Sequence, residues 1–314
     1  MADLIAAINE EKAPDFTFQI MNSPPSEPAD RDWIHHWHTS SGDISISLAR
    51  IDKGLLLRFP SLADFVIEGD GFHISAWLEP ETDEETLRHL LLDQVMPRVL
   101  SGQGRLILHA SAVCMDDLAL AFAGETGLGK STLAASLHVS GYPLLTDDGL
   151  VLKAEGTCIK ALPCYPGLRL WPESVTALFK DSPQKKAMAS YSPKNRVVMP
   201  KSDEINPVDL AVLFVLTKSE PGEETAAVRV SRLSQRDACM ELVRNSFQLD
   251  VSNRKQVTAL FAAATATAER LPVFSLSYPR DFSSLPAVHE AILRQHRASA
   301  SEASNDLRAG EPGG

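Results

Sequence analysis

The chain has 314 residues, enough for one large or two modest domains with a sizeable hydrophobic core. Hydrophobic residues make up 44% of the sequence, as in soluble globular proteins, and no stretch approaches the roughly eighteen apolar residues that a membrane-spanning helix needs. The formal net charge of −11 argues against a partner held through nonspecific phosphate contacts, such as DNA. We therefore expect neither a nucleic acid nor a membrane as a partner.

The cysteines and the N-terminus indicate the compartment. The N-terminal stretch from Met1 to Lys12 lacks the basic start and long apolar core of a signal peptide. Four cysteines lie far apart in the sequence and form no C-x-x-C pair, which argues against a zinc knuckle or a redox motif. They are Cys114, Cys158, Cys164 and Cys239. The sequence therefore predicts a cytoplasmic protein with reduced thiols.

The first hundred residues predict a small module that precedes the main domain. Residues 1–30 are interpreted as an N-terminal segment and linker, because they contain a turn-rich stretch with three prolines. Residues 43–79 alternate between apolar and polar residues in four runs, which predicts antiparallel strands. A helix is expected from Asp83 to about Leu100, bridging into the next domain. The module, a small antiparallel β-sheet plus this helix, is predicted over residues 31–101.

Three histidines, His35, His36 and His38, lie close together at the start of this module. Such a group can hold a metal ion, but adjacent residues of a strand point to opposite faces of the sheet. No carboxylate or cysteine is spaced to complete a metal site. A structural role for these histidines is the favoured interpretation.

Residues 102–297 have the pattern of an α/β nucleotide-binding domain, which centres on residues 124–131. This stretch reads G-x-x-x-x-G-K-S, the phosphate-binding (Walker A) motif. An apolar run typical of a buried strand precedes it at residues 118–123, and a helical pattern follows that ends at Gly141. A strand, a glycine-rich loop and a helix in this order place the helix N-terminus against bound phosphates.

Each residue type in the motif has a physical reason. The glycines adopt backbone angles that let successive N–H groups turn towards phosphate oxygens. Lys130 supplies a positive charge for the β- and γ-phosphates, and the Ser131 hydroxyl can ligate Mg²⁺. The predicted ATP-binding residues are Gly124, Glu125, Thr126, Gly127, Leu128, Gly129, Lys130, Ser131 and Thr132.

Two adjacent carboxylates follow the next predicted strand. Residues 142–146 read as a strand, and its far end carries Asp147 and Asp148. If this strand runs parallel to the one before the loop, both end at the edge where ligands bind in α/β folds. Carboxylates there, beside phosphates and a Ser131-bound Mg²⁺, fit metal binding and deprotonation of an attacking hydroxyl. An acidic turn before Gly149 is the alternative.

The remaining features are less specific. Arg169 can stabilise a transferring phosphate, but a surface or ion-paired arginine is an equal alternative. Residues 181–204 are polar and basic and include Lys194. They are expected to be a loop that closes over ATP, that engages an acidic peptide or that is simply solvated. The last helix is predicted to end at Arg297, and residues 298–314 to be a disordered tail.

Three of these features in register resemble the HPr kinase/phosphorylase family of protein-serine kinases. The loop is similar to the family's G-x-S-G-x-G-K-S. Asp148 lies eighteen residues after Lys130, where the family has its catalytic acid, and His109 lies twenty-one residues before it, where the family has its active-site histidine. The resemblance covers roughly residues 105–216. It implies an α/β P-loop kinase domain of HPr kinase/carboxykinase type, preceded by the small antiparallel β module.

The resemblance also implies roles. Lys130 and Ser131 would hold MgATP, Asp148 would take the proton from a substrate serine, Asp147 would assist through Mg²⁺ or hydrogen bonds, and His109 would support the site. For the histidine, a hydrogen-bonded position in the core is the alternative.

The chain also departs from standard members of the family. The family's acidic Mg²⁺ ligand after the Asp pair has only Cys164 and Glu173 as nearest candidates. The segments 165–172 and 276–282 look more like shorter kinases found with lasso-peptide biosynthesis proteins, which implies the C-terminal serine of a precursor peptide as acceptor.

We therefore expect an ATP-dependent kinase that transfers the γ-phosphoryl group to a serine hydroxyl of a peptide or small protein. A small-molecule kinase on the same fold and a non-catalytic ATP-binding regulatory module are the alternatives. The oligomeric state stays open, with a homo-oligomer among the alternatives.

Overall fold

The computed structural model describes residues 15–39, 41–162, 167–179, 181, 183–198, 206–218 and 227–309, with side chains as far as residue 299. These residues form a mixed α/β protein with three β-sheets. The chain divides into two compact units. The first comprises the described residues up to Gly104 together with Ala187–Pro193 and Gln248–Thr258, and the second comprises the rest. The first unit thus draws on two segments far beyond the predicted boundary at residue 101.

A six-stranded sheet forms most of the first unit. Its strands are β1 (Thr17–Ile20), β2 (Trp33–His38), β3 (Ile44–Ile51), β4 (Gly54–Phe59), β5 (Ala63–Glu68) and β6 (His73–Leu78). The order across the sheet is β1-β6-β5-β4-β3-β2. All neighbours are antiparallel except β1, which runs parallel to β6. The four strands predicted over residues 43–79 are therefore consecutive hairpin strands of this sheet.

One face of this sheet is covered by the helix that the sequence predicts after Asp83. The helix consists of α1 (Glu84–His89), a π-helical stretch (Leu90–Val95) and α2 (Met96–Gly102). The Asp83 carboxylate accepts the Thr86 backbone N–H at 2.8 Å and so caps the first turn. Its buried apolar residues pack against the sheet: Leu87, Leu90, Leu91, Val95 and Val99. The helix predicted to bridge between domains thus completes the core of its own unit.

The predicted linker over residues 1–30 is partly incorrect. β1 lies within it and pairs with β6, with Thr17 opposite His73. Further along, Arg58 bonds Glu27 at 2.8 Å and Asp64 at 2.9 Å, which ties the proline-rich stretch to the sheet. The four-residue strand was too short to give an alternating pattern, and its pairing partner lies far away in the sequence. Residues 1–14 lie outside the described residues.

The second unit is built on a nine-stranded sheet. Its strands are β7 (Leu106–Leu108), β8 (Ala110–Met115), β9 (Leu118–Ala123), β10 (Leu144–Thr146), β11 (Leu150–Glu155), β12 (Cys158–Leu162), β16 (Val208–Leu216), β17 (Arg229–Arg232) and β18 (Val273–Ser277). The order is β10-β8-β9-β16-β12-β11-β7, with β18 beside β16 and β17 beside β18. Because β8 is antiparallel to both β9 and β10, the latter two run in the same direction and end at the same edge.

A third, smaller sheet is formed by residues that follow β12 in the sequence. It consists of β13 (Leu168–Leu170), β14 (Lys185–Ala189) and β15 (Ser192–Val197), in the order β13-β15-β14. The polar region over 181–204, expected to be a loop, is therefore largely β-structure in its described part. In both strands the buried residues are the last two, so there is no alternation of exposed and buried side chains, and the strands are short and contain three lysines. A strand is therefore hard to recognise here from the sequence.

Helices cover both faces of the nine-stranded sheet. They are α3 (Lys130–Val139), α5 (Gln235–Arg244), α6 (Arg254–Ala268) and α7 (Leu285–Ala309). The helix α4 (Pro172–Leu178) packs instead against α3 and the small sheet. Alternate residues of β9 enter two separate apolar clusters. Ala121 lies in the cluster that includes α5 and α6 side chains, whereas Phe122 lies in the cluster that includes α3 and α7 side chains. The strand before the glycine-rich loop is thus held from both sides.

The end of the chain differs from the prediction. α7 runs continuously to Ala309, so residues 298–309 of the predicted disordered tail are helical. This stretch is rich in alanine and contains neither glycine nor proline before residue 310, so nothing in it stops the helix. Residues 310–314 lie outside the described residues.

Several other expectations can be compared with the structure. Among the helices of the described residues, none combines the length and the apolar character that crossing a bilayer would require. The thiols of Cys114, Cys158 and Cys239 are free, and Cys164 lies outside the described residues. In β2, His36 Nδ1 lies 2.8 Å from Ser47 Oγ, which agrees with the structural interpretation of the histidine group.

Replacing Phe214 by alanine should destabilise the second unit by about 3–5 kcal/mol, because a fully buried aromatic side chain leaves a cavity. The Phe214 ring centre lies 5.9 Å from those of both Phe122 and Phe274, so the cavity would lie between three central strands. Urea denaturation measures the loss. The matched control is Phe261→Ala on α6, where the ring is 41% exposed and the expected change is within about 0.5 kcal/mol. Equal losses for both variants would contradict this account of the core.

Candidate active site

The glycine loop is defined as residues 124–131, which are the connection between β9 and α3 and the first two residues of α3. Three of its glycines have positive φ angles, with values of 136° at Gly124, 85° at Gly127 and 87° at Gly129. A Cβ on Gly124 would lie only 2.7 Å from the backbone oxygen of Leu216 on the neighbouring strand, so a residue with a side chain does not fit at this position. A Cβ on Gly127 would meet no atom within 4 Å. The loop is therefore anchored at its start and open at its middle.

Lys130 is the first residue of α3, and its side chain folds back over the loop. The Lys130 ammonium donates hydrogen bonds to the Gly124 carbonyl at 2.7 Å and to the Glu125 carbonyl at 3.2 Å. Burial lowers the pKa of Lys130, while the carboxylates of Asp148 and Asp147 oppose this effect. A partly desolvated cation thus lies at the N-terminus of a ten-residue helix, where the helix dipole also favours negative charge.

The loop borders a cleft of about 850 Å³, including the solvent space at its mouth. Six of the nine predicted nucleotide-binding residues line it: Thr126, Gly127, Gly129, Lys130, Ser131 and Thr132. The other three face elsewhere. Gly124 packs on β16, the Glu125 carboxylate pairs with Lys218 at 3.2 Å, and Leu128 is buried in an apolar cluster. The size is within the usual range for ligand pockets.

Asp147 and Asp148 follow β10 at the same edge of the sheet, as the sequence predicts for parallel strands. The chain turns sharply between them and Gly149, and Asp148 has a φ of 66°, in the left-handed region. Aspartate and asparagine tolerate this region better than most residues. Thr146 stabilises the turn by donating its hydroxyl hydrogen to the Gly149 carbonyl at 2.6 Å. The turn directs the two neighbouring carboxylates to different surroundings.

Asp147 does not line the cleft, which corrects its predicted place as a metal ligand. One carboxylate oxygen accepts the Ser111 hydroxyl at 2.6 Å, and the other accepts the Arg169 backbone N–H at 2.8 Å. Its side chain is fully buried. Burial and the neighbouring Asp148 raise the pKa of Asp147, against the opposing effects of Arg169 and Ser111. Asp147 therefore fastens β10 to β8 and β13.

Asp148 does line the cleft, and it lies between two basic side chains. His109 Nε2 is 3.3 Å from one carboxylate oxygen, and Arg169 Nε is 3.3 Å from the other. Burial alone would raise the pKa of Asp148, but the hydrogen bond from His109 and the charge of Arg169 outweigh it and hold the pKa well below its ordinary value. The carboxylate is therefore ionised at neutral pH and faces the same space as Lys130.

His109 lies between β7 and β8, next to the start of the glycine loop. Its backbone N–H donates to the Asn245 carbonyl at 2.7 Å, and its ring packs on Phe247 with the ring centres 5.7 Å apart. These contacts leave a third of the side chain exposed to the cleft. The predicted histidine thus lies beside Asp148, and its supporting role stays a prediction.

Another part of the cleft wall contains residues to which the sequence gave no definite role. Arg169 is almost completely buried, so its alternative as an ion-paired residue is the one observed. Arg280 donates to the Gly127 carbonyl at 3.3 Å and stacks over Tyr278, with its guanidinium 5.6 Å from the ring centre. Trp171 and Lys194 complete this wall. Tertiary packing brings them together, and local sequence patterns carry no signal of it.

Glu173, one of the two sequence candidates for an acidic metal ligand, is exposed on α4 and is not among the residues that line the cleft. The other candidate, Cys164, lies outside the described residues. The described lining contains four lysine and arginine side chains against two aspartates, Asp148 and Asp281. In a protein with a net charge of −11, this local excess of positive charge favours an anionic ligand.

No protein-family model matches this chain, and no curated protein matches it. Among solved structures, it is similar to the HPr(Ser) kinase/phosphatase from Coxiella burnetii, with 15% sequence identity and a TM-score of 0.35. The matched part covers 66% of this chain and 99% of that one. The chemistry of the cleft follows from its own residues.

Asp148→Asn should reduce stability most at neutral pH and least in acid. The folded-state pKa of Asp148 lies below its unfolded-state value of about 4, so its stabilising effect is present above that value and is lost as the pH falls. Asparagine keeps the left-handed backbone accessible, so the comparison isolates the charge. Urea denaturation of both proteins from about pH 7 to about pH 3 measures the difference. A difference that stays constant over this range would contradict the assignment of Asp148 as a stabilised carboxylate.

Proposed function

We propose that this protein is an ATP-dependent kinase that transfers the γ-phosphoryl group to a serine hydroxyl of a peptide or small protein. One observation carries the proposal: Lys130 of the glycine loop and the ionised carboxylate of Asp148 line the same cleft. A glycine-rich loop with a lysine binds phosphates, and a facing carboxylate can orient and deprotonate a hydroxyl. Phosphoryl transfer requires both functions in one place.

The donor groups of the cleft fit a nucleotide triphosphate. The N-terminus of α3 and the positive-φ glycines form an open concavity, because a Cβ on Gly127 would project into empty space. Lys130 already binds the loop's carbonyls, so its ammonium is fixed at the rim of this concavity. The excess of positive side chains along the lining agrees with a ligand of several negative charges.

The same cleft has oxygen donors for Mg²⁺. The Ser131 hydroxyl and the Asp148 carboxylate both line it, and hard divalent cations prefer such ligands. When bound, MgATP supplies the phosphoryl group with its charge partly neutralised. We assign Mg²⁺ binding to Ser131 and Asp148. Asp147, whose oxygens both accept hydrogen bonds from the protein, holds the turn in place and affects Mg²⁺ only through Asp148.

In this proposal Asp148 accepts the proton that the serine hydroxyl loses as it attacks the phosphoryl group. A carboxylate with a lowered pKa is a weak base, but the loose transition state of phosphoryl transfer needs orientation more than early proton removal. His109 and Arg169 fix the carboxylate from two sides and so supply this orientation. Lys130 neutralises charge on the leaving side, which is the main electrostatic contribution.

The acceptor is proposed from the shape and the rim of the cleft. The cleft is open, and two exposed aromatic side chains, Trp171 and Phe282, flank it. An open cleft with an apolar rim suits a peptide better than a small metabolite that must be enclosed. The resemblance of the segments 165–172 and 276–282 to lasso-peptide-associated kinases adds a C-terminal serine of a precursor peptide as the first acceptor to test.

Mass spectrometry after incubation with ATP and Mg²⁺ tests the proposal. The acceptors are peptides with a C-terminal serine, HPr, and simple hydroxy-metabolites. A gain of one phosphate on a peptide or protein serine would support it. Phosphate on a metabolite alone would instead establish a small-molecule kinase, and nucleotide binding without transfer to any acceptor would favour a regulatory module.

Asp148→Asn should lower the rate of transfer at least about a hundredfold, because the carboxylate acts on the acceptor hydroxyl and on Mg²⁺. The affinity for ATP measured without Mg²⁺ should stay within a few-fold, because the glycine loop and Lys130 bind the phosphates. The matched control is Asp209→Asn on β16, the same change on a surface carboxylate paired with Lys160 at 3.0 Å outside the cleft. Its transfer rate should equal that of the wild type. Wild-type rates for Asp148→Asn would remove this residue from the mechanism.

A further inference from the structure

The pairing of β13 with β15 brings a second lysine into the cleft. The strands are antiparallel, with Leu170 opposite Asn195. Continuing this register by one residue sets Trp171 opposite Lys194, and Lys194 Nζ lies 5.7 Å from the centre of the Trp171 ring. Alternate residues of a strand share a face of the sheet, so Arg169 and Trp171 point to the same side. Lys194 points to this side as well, because residues directly opposite each other on neighbouring strands share a face. That side is a wall of the cleft.

Lys194 is near both groups to which the proposed function assigns the reaction. Burial is the main cause that lowers the pKa of Lys130, and the positive charge of Lys194 adds to it. The pKa of Asp148 is lowered by the hydrogen bond from His109 and by the charge of Arg169, against the effect of burial. The positive charge of Lys194 lowers the pKa of Asp148 further. The ammonium of Lys194 thus lies within electrostatic reach of the glycine loop and of the proposed base.

Lys130 and Lys194 both line one cleft that is partly shielded from solvent. An anionic group bound between Lys130 and Lys194 would interact favourably with both ammonium groups. In the proposed function, the glycine loop binds the phosphates of the nucleotide. Both lysines can approach the end of the phosphate chain that lies nearest Asp148.

We propose that Lys194 binds the terminal phosphoryl group of the nucleotide from the part of the cleft wall that includes Trp171, with Trp171 holding its side chain in place. This inference rests on the proposed function, and it assigns to the site a residue that discriminates a triphosphate from a diphosphate. No covalent bond involves Lys194. Its positive charge offsets the negative charge of the phosphoryl oxygens before and during transfer.

A structural role for the Lys194–Trp171 stack is the competing explanation. A cation over an indole ring stabilises the local fold wherever it occurs, and that effect does not depend on the nucleotide. The two explanations differ in one measurable respect. Only direct contact with the terminal phosphoryl makes the effect of removing the ammonium depend on whether that phosphoryl is present.

Calorimetric titration of the full chain with MgADP and with a non-hydrolysable MgATP analogue tests the proposal. Lys194→Met should weaken the affinity for the ATP analogue at least about tenfold, as expected for loss of one charge-assisted contact. The affinity of this variant for MgADP should stay within about threefold of the wild-type value. Lys194→Arg should retain most of the affinity for the analogue, because it keeps the positive charge. The matched control is Lys185→Met on β14, where the lysine is exposed and away from the cleft, and both affinities should stay unchanged.

The outcomes separate this inference from the proposed function. If the wild type binds both nucleotides and Lys194→Met weakens both equally or neither, the inference is overturned and the proposed function stands. If the wild type binds neither nucleotide, the proposed function fails and the inference fails with it. Thermal unfolding of each variant completes the test, since an unchanged melting temperature shows that a loss of affinity comes from the missing contact.

Discussion

Arg169 lies beside two adjacent carboxylates at the edge of the nine-stranded sheet, with its side chain only 1% exposed. Buried carboxylates are costly unless they are paired, and here a single residue contacts both. Its backbone N–H binds Asp147, and its guanidinium binds Asp148 and the backbone carbonyls of Asp147 and Gly167. The docking of β13 against the end of β10 depends on this residue, and the ionised state of Asp148 depends on His109 and on this residue together.

The same contact explains how the cleft is assembled from two sheets. The nine-stranded sheet contributes the glycine loop and the Asp pair, because β9 and β10 end at one edge. The small sheet contributes the wall with Trp171 and Lys194. Arg169 belongs to the small sheet but is bonded to the Asp pair of the large one, so it fixes the distance between the wall and the loop. Loss of this residue would therefore affect geometry and charge together.

How far the sequence predicts this site depends on how local each feature is. The glycine loop was predictable because a strand, a loop and a helix are consecutive, and the position of Asp148 followed from two strands that run in the same direction. The burial of Asp147 away from the cleft was not predictable, because its partner Ser111 is thirty-six residues away in the sequence and lies on another strand. Lys194 was assigned to a loop because its strand is short and polar. Its place in the cleft follows from the register with β13, which no local pattern shows.

The central claim is that the phosphates of a nucleotide lie between the glycine loop and Asp148. A crystal structure of the protein with Mg²⁺ and a non-hydrolysable ATP analogue tests it most directly. We expect the β-phosphate in the glycine loop, the terminal phosphate between Lys130 and Asp148, and the Ser131 hydroxyl as a ligand of Mg²⁺. A nucleotide bound elsewhere, or phosphates directed away from Asp148, would contradict it.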